Sequence, residues 1–267
     1  MGDEAYSRTM EKYRGSVAQY ALSTEETTCL KPTNLSFTEA AAVPLAATTA
    51  LQCLDRGEAF LQNGLKGKTI FVPAALSGTG SFGVQLAKNC FGAGKVVTSL
   101  SPGKIERVGT LLGEGRPDVC VDYTKGDVVS EVGKGSVDFM LDTQSYSLSA
   151  MKVMKKGGQI VSISTVPNGT VMKKKLDEMP LWLELVMNLV DWVFRIWASW
   201  NGVTYGFLSL DPNARDLERL KGWVEEGKVK VIVGEVVKMS DIRGVRRGCE
   251  QILVGKGGVG KFVIEID

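Results

Sequence analysis

The chain has 267 residues, 44% hydrophobic and 23% charged, with 31 glycines against 8 prolines, the balance of a folded globular protein of one or two domains and not of a disordered, fibrous or membrane-spanning one. Its 32 basic and 30 acidic residues are interspersed and leave a formal charge of +2, so the basic field that nucleic-acid binding needs is absent. The absence of histidine removes His-centred triads, imidazole proton shuttles and nearly all catalytic zinc sites. Cys29, Cys53, Cys90, Cys120 and Cys249 stand far apart with no Cys-x-x-Cys spacing, so neither a metal nor a disulfide framework is expected. Residues 1–14 carry Asp3, Glu4 and Glu11 and no apolar run; no secretory signal is expected, and a reducing cytoplasm suits the thiols.

In chain order, residues 15–30 read as strand and turn, 34–42 start a helix, and 44–54 continue an apolar segment. From Lys68 onward, short Val- and Ile-rich runs alternate with helical stretches. Six strands are expected, over 69–73, 95–100, 118–121, 137–141, 159–163 and 203–208, with helices beginning near Gly80, Ser101, Lys125 and Leu148. This alternation predicts an α/β protein with a doubly wound parallel sheet, right-handed crossovers and a ligand beyond the carboxyl ends of the strands. A helix over 216–226 and a small β-rich tail over 231–266, holding a helix over 241–254, complete the chain.

The first of these strands runs into Ala74-Ala75-Leu76-Ser77-Gly78-Thr79-Gly80-Ser81-Phe82-Gly83, the strand, small-residue turn and helix order of a dinucleotide site. Set on Gly-x-Gly-x-x-Gly, Ala75 and Ser77 occupy the first two glycine positions and only Gly80 is strict, so nucleotide binding and a structural turn both remain open. After the second strand come Thr98-Ser99-Leu100-Ser101-Pro102-Gly103-Lys104, with no carboxylate before Glu106 to grip a ribose hydroxyl. Ser101 and Pro102 make a good helix start. Lys104 then sits in the first turn, where its charge opposes the helix dipole; an anion such as the 2′-phosphate of NADP explains it, a solvated lysine being the plainer alternative.

Residues 255–261 have the Gly-x-x-x-x-Gly-Lys spacing of a P-loop, but Phe262 replaces the magnesium-binding hydroxyl and 262–266 reads as a strand, so a P-loop is refused. Residues 180–200 hold four of the five tryptophans. Glu184, Asn188, Asp191, Arg195 and Ser199 form one narrow polar stripe on a helix otherwise apolar all round. Three charges argue against a transmembrane span. The apolar face is expected to pack on the core or on a second subunit; a lid over an apolar substrate and peripheral membrane contact are the alternatives, the last disfavoured by the nearly neutral stripe.

Residues 5–267 resemble the medium-chain dehydrogenase/reductase superfamily, in its zinc-free quinone oxidoreductase and enoyl reductase branch. The segments that carry the resemblance are Tyr13-Arg14-Gly15-Ser16-Val17-Ala18-Gln19-Tyr20, Leu35-Ser36-Phe37-Thr38-Glu39-Ala40-Ala41-Ala42-Val43-Pro44-Leu45, Val84-Gln85-Leu86-Ala87-Lys88, Val121-Asp122-Tyr123, Val137-Asp138-Phe139 and Gly260-Lys261-Phe262-Val263-Ile264. The resemblance implies that Thr49 meets the nicotinamide end of NADP, that Ser77, Gly78, Thr79 and Gly80 form the pyrophosphate turn, that Ser101, Lys104 and Tyr123 meet the adenosine phosphate, and that Thr143 and Ile163 end their strands over the cofactor. It implies a Rossmann domain over 41–228, with the Trp-rich insertion at 180–200, and a shortened GroES-like β-rich domain formed by the two chain ends, 1–40 and 229–267. The match begins inside that domain, at Gly2-Asp3-Glu4-Ala5-Tyr6. Gln144-Ser145-Tyr146 stands in place of the family's Val-Gly-Gly, and Ser164-Thr165-Val166-Pro167 in place of a glycine.

The implied activity is zinc-independent, NADPH-dependent reduction of a quinone or an α,β-unsaturated carbonyl, with a small apolar carbonyl substrate and a homodimer in the cytoplasm. Tyr146 and Tyr205 are the candidate proton donors, as hydroxyls near strand ends. The alternatives are a non-redox isomerase, cyclase or dehydratase on the same scaffold, which would use Asp, Tyr or Lys groups, and a cofactor-binding protein without turnover.

Overall fold

The computed structural model describes residues 16–126, 128–176, 178–255 and 258–266; the expectations placed on 1–15, Lys256 and Gly257 lie outside these residues. Strands β1 (Thr69–Phe71), β2 (Lys95–Leu100), β3 (Val119–Asp122), β4 (Val137–Asp142), β5 (Met154–Ser162) and β6 (Thr204–Phe207) form one six-stranded sheet in the order β3-β2-β1-β4-β5-β6, every pairing parallel. The order reverses between β1 and β4, which opens a crevice at their carboxyl ends.

Alternation along the strands divides the core. Ile70, Val96, Phe139, Leu141 and Val161 face one side, with helices α2 (Pro44–Phe60), α3 (Gly78–Asn89), α4 (Pro102–Leu112) and α9 (Ala214–Glu225) packed over them. Phe71, Val97, Met140 and Ile160 face the other, under the short helices α5 (Val128–Val132) and α6 (Ser147–Ala150) and one band of α8 (Leu181–Trp200). Both faces are covered, which is why the strands read as continuous apolar runs. The tail folds as a βαβ unit: β7 (Val233–Lys238) and β8 (Lys261–Glu265) pair in parallel around α10 (Ile242–Leu253). Helix α1 (Phe37–Ala41), closed by a capping box between Ser36 and Glu39, leans on this pair.

Two expectations are corrected. Residues 16–30 contain no strand; Glu25–Thr27 is a 3-10 turn, tied by the Thr28 hydroxyl donating to the Thr24 carbonyl at 2.7 Å. Hydroxyl-to-backbone bonds of this kind offer the chain an alternative to a strand. The apolar face of α8 is not packed on the core. Its polar stripe turns to α7 (Gly169–Lys173), where Asn168 donates to Asp191 at 3.0 Å and Lys173 to Glu184 at 2.7 Å. Contact with the sheet side is limited to a band with Ala198 and with Phe194 against Tyr205, ring centroids 5.2 Å apart. Among the described residues no helix is long and apolar enough to cross a membrane.

Candidate functional site

A cleft of about 790 Å³ opens at the carboxyl ends of β1, β2, β4 and β5, within the size range of a small-molecule site. The fold brings nine of the expected residues to it: Ser77, Gly78 and Thr79 at the start of α3, Ser101 and Lys104 at the start of α4, Tyr123 beyond β3, and Thr143, Tyr146 and Ile163 beyond β4 and β5. Sequence reasoning passed over its far wall, where the loop before β8 contributes Gly258 and Gly260 and β8 opens with Lys261. That loop is pinned by the Gly260 amide donating to the Leu76 carbonyl at 2.8 Å.

The turn between β1 and α3 is built for close approach. Ser77 caps α3, its hydroxyl accepting from the Gly80 amide at 3.0 Å. The first amides of a helix have no partner within it, so this end of α3 offers donors and a positive dipole end to an anion. Gly78-Thr79-Gly80-Ser81-Phe82-Gly83 is a strict Gly-x-Gly-x-x-Gly, set three residues later than the sequence reading placed it. Each glycine has a steric reason. A β-carbon on Gly80 would collide with the Ala74 carbonyl, one on Gly83 would press on Leu141 and Val72 at 3.1 and 3.2 Å, and one on Gly78 would fall 2.6 Å from the stem of Lys261. These are the tight turn, the close helix-to-strand packing and the bare surface that a dinucleotide turn requires.

At α4, Ser101 occupies the N-cap position without capping the helix, which leaves its hydroxyl for the cleft. The Lys104 ammonium donates to the Gly258 carbonyl at 2.7 Å and so bridges the cleft between α4 and the far wall. A carbonyl is a modest partner for a cation, and an anion in the cleft would be a stronger one.

Three expected residues are elsewhere. Thr49 is buried in α2, its hydroxyl donating to the Leu45 carbonyl at 2.7 Å. Gly80 lies beneath the turn and shapes it. Tyr205 is buried on β6, its hydroxyl bonded to Thr165, and burial raises its pKa. Tyr146 does line the cleft, on the side of Ser99 at the end of β2 and of Tyr123. That is the β2–β3 half of the crevice, away from β5; burial raises this phenol's pKa as well. Of the two candidate proton donors the cleft therefore holds Tyr146 and not Tyr205.

The zinc-binding dehydrogenase family matches residues 117–250. The chain is 37% identical over 190 residues to the 2-methylene-furan-3-one reductase of Solanum lycopersicum and 36% identical over 190 residues to the chloroplastic NADPH-dependent alkenal/one oxidoreductase of Arabidopsis thaliana. Each match covers 65% of this chain and 46% of the relative, so the chain spans about half the length of either. The quinone oxidoreductase from Coxiella burnetii superposes with a TM-score of 0.69 at 22% identity, over 92% of this chain and 66% of that one.

The family's name implies zinc, and the donors here do not fit it: the sequence has no histidine, and no three His, Cys, Asp or Glu residues come together among the described residues. None of the five cysteines forms a disulfide, and burial pushes the Cys90 thiol up to about 12, which suits a packed thiol and not a thiolate ligand. Dialysis against a chelator is accordingly expected to leave the melting temperature unchanged, and a stoichiometric metal in elemental analysis would contradict this. The parallel sheet in 3-2-1-4-5-6 order, its glycine turn and a family match over half of the chain converge on one assignment: the chain belongs to the zinc-binding dehydrogenase family, within the medium-chain dehydrogenase/reductase superfamily that includes quinone oxidoreductases and enoyl reductases.

Proposed function

We propose that the protein is an NADPH-dependent, zinc-independent reductase of a quinone or an α,β-unsaturated carbonyl. The observation that carries this reading is the pairing, in one cleft, of a strict dinucleotide turn with Ser101 and Lys104 where a ribose-binding carboxylate would otherwise stand. NADPH, when bound, supplies the hydride. The chain's own residues bind and orient it. The α3 amino terminus with Ser77 and Thr79 takes the pyrophosphate, Ser101 and Lys104 take the 2′-phosphate beside Tyr123, and Thr143 and Ile163 hold the ring end over β4 and β5. The names of the tomato and Arabidopsis relatives, reductases of an enone and of alkenals, support the substrate class.

In this reading Lys104 exchanges the Gly258 carbonyl for the phosphate, and Tyr146 with Tyr123 walls the adenosine side. NADPH is expected to bind at least roughly tenfold more tightly than NADH, one charge-assisted contact being worth that much. Lys104→Ala should erase the difference. Calorimetry with both nucleotides, followed by hydride transfer to a panel of quinones and enones, tests the reading; equal affinities, or turnover without any nucleotide, would overturn it. The lack of any disulfide among the five cysteines supports a reducing compartment such as the cytoplasm. The outer edge of β6, at the end of the sheet, supports pairing with a second copy as a homodimer.

A further inference from the structure

Helix α8 turns its polar residues to α7 and leaves the opposite side bare. Trp182 is 66% exposed, Trp192 57%, Trp197 48% and Trp200 80%, and Leu185 and Leu189 stand out between them. The four indoles alone present on the order of 500 Å², which is the size of the largest apolar patch on an ordinary monomer. The stripe runs the whole of a 20-residue helix, about 30 Å.

Each end of the stripe carries a small basic excess. Helix α7 lies antiparallel to α8, since Asn168 meets Asp191 and Lys173 meets Glu184, so Lys173, Lys174 and Lys175 lie near the first turn, Lys173 held by Glu184 and Lys175 by the Leu210 carbonyl. At the last turn, a β-carbon on Gly202 would fall 3.3 Å from the stem of Lys156, and the Gly157 amide donates to the Gly202 carbonyl at 2.7 Å, which places Lys155 and Lys156 there. The nearby carboxylates are largely answered within the protein: Glu184 by Lys173, Asp191 by Arg195 and Asp138 by Lys155. Glu178, exposed before the first turn, offsets one of the lysines.

We propose that α8 is an interfacial anchor that lies flat on an anionic lipid bilayer, its tryptophans in the boundary between headgroups and acyl chains and Lys174 and Lys156, at its two ends, on the headgroups. An indole has an apolar ring and one N–H that stays wet, which is why tryptophan favours that boundary. A helix lying in the plane needs no membrane-crossing length. A second copy of the chain suits this face less well: about a two-fold axis, parallel or antiparallel, two such stripes bring basic end against basic end. The inference rests on α8 and its flanks and does not depend on the reductase reading.

Flotation of the full chain with vesicles of phosphatidylcholine, alone or with phosphatidylserine, tests it. The protein should float with the anionic vesicles, its tryptophan emission should shift to the blue, and brominated lipid should quench that emission. The triple substitution Trp182→Gln, Trp192→Gln and Trp197→Gln should weaken binding at least roughly tenfold, with the circular-dichroism melt unchanged because these side chains are exposed. Lys156→Glu with Lys174→Glu should weaken binding to the anionic vesicles by about tenfold or more, each lysine near such a surface being worth roughly fivefold. Failure to float with either vesicle, unchanged binding of the tryptophan variant, or no quenching by brominated lipid would overturn the proposal. So would a dimer that the triple substitution turns into a monomer with no vesicle binding by either form, since the occupant would then be a second copy.

Discussion

Gly80→Ala is expected to abolish nucleotide binding and to lower stability by about 1 to 3 kcal/mol, the range for forcing a methyl group into packed surroundings. The chain leaves β1 and reverses at Ala74, which adopts φ +55°, and the Ser77 amide then closes the turn on the Ala74 carbonyl at 2.8 Å. Gly80 lies against that same carbonyl, with the Ser77 hydroxyl 2.7 Å from the position of a β-carbon. Neither neighbour can yield cheaply. The carbonyl is fixed by the turn, and the hydroxyl is the helix cap, so a methyl group must push α3 away from the strand end and spoil the row of amides that faces the cleft. Ala74→Gly is the control, since it relieves the left-handed residue and leaves the cap alone. Calorimetric titration with NADPH and a melting curve on each variant check the pair. A Gly80→Ala protein that binds as the wild type does would mean that this turn cradles no phosphate.

The register of that turn shows how far the sequence alone could be followed. The apolar runs were legible because β1, β2, β4 and β5 are covered on both faces, so Ile70 and Phe71 enter opposite halves of the core and both must be apolar. Where β1 ends was not legible. It stops at Phe71, and the three residues from Ala74 to Leu76 are spent on a turn that needs a positive φ, which moves the glycine pattern from the expected Ala75 register to Gly78, Gly80 and Gly83. Spacing placed Thr49 on a helix, but not on the face that turns its hydroxyl back to its own backbone. Tyr146 and Tyr205 were found as hydroxyls near strand ends. Their directions follow from tertiary placement, Tyr146 on the cleft wall and Tyr205 against Thr165, and no local pattern encodes those. The tryptophans of α8 mark an apolar face equally well whether the face is covered or bare.

Asp142→Ala should cost about 3 to 5 kcal/mol and loosen one wall of the cleft, because it leaves several buried donors without an acceptor at once. Asp142 ends β4 with its side chain wholly buried. One carboxylate oxygen accepts from the amides of Gln144 and Tyr146, both at 3.0 Å; the other accepts from the Ser147 amide at 3.0 Å, the Ser147 hydroxyl and the Ser162 hydroxyl at 3.2 Å. Together these bonds fold residues 143–147 back over the strand ends and present Thr143, Gln144 and Tyr146 to the cleft. They also hold Ser145 at φ +58°, where the resembling family carries glycine, helped by the Ser145 amide and hydroxyl donating to the hydroxyl and carbonyl of Ser164, both at 2.6 Å. The two departures, Ser145 and Ser164, are thus partners in one arrangement: hydrogen bonds between the loops offset a backbone conformation that glycine would adopt freely. Asp142→Asn keeps the shape but brings an NH₂ group to donors that need an acceptor, so its loss should fall between the alanine variant and the wild type. Ser145→Gly surrenders one bond and relieves the backbone, and is expected to stay within about 1 kcal/mol of the wild type. Urea unfolding of the three variants orders these effects, and nucleotide titration of the same proteins should weaken in the same order. An Asp142→Ala protein as stable as the wild type would show that water or a rearranged loop satisfies those donors and that the carboxylate does not hold the wall.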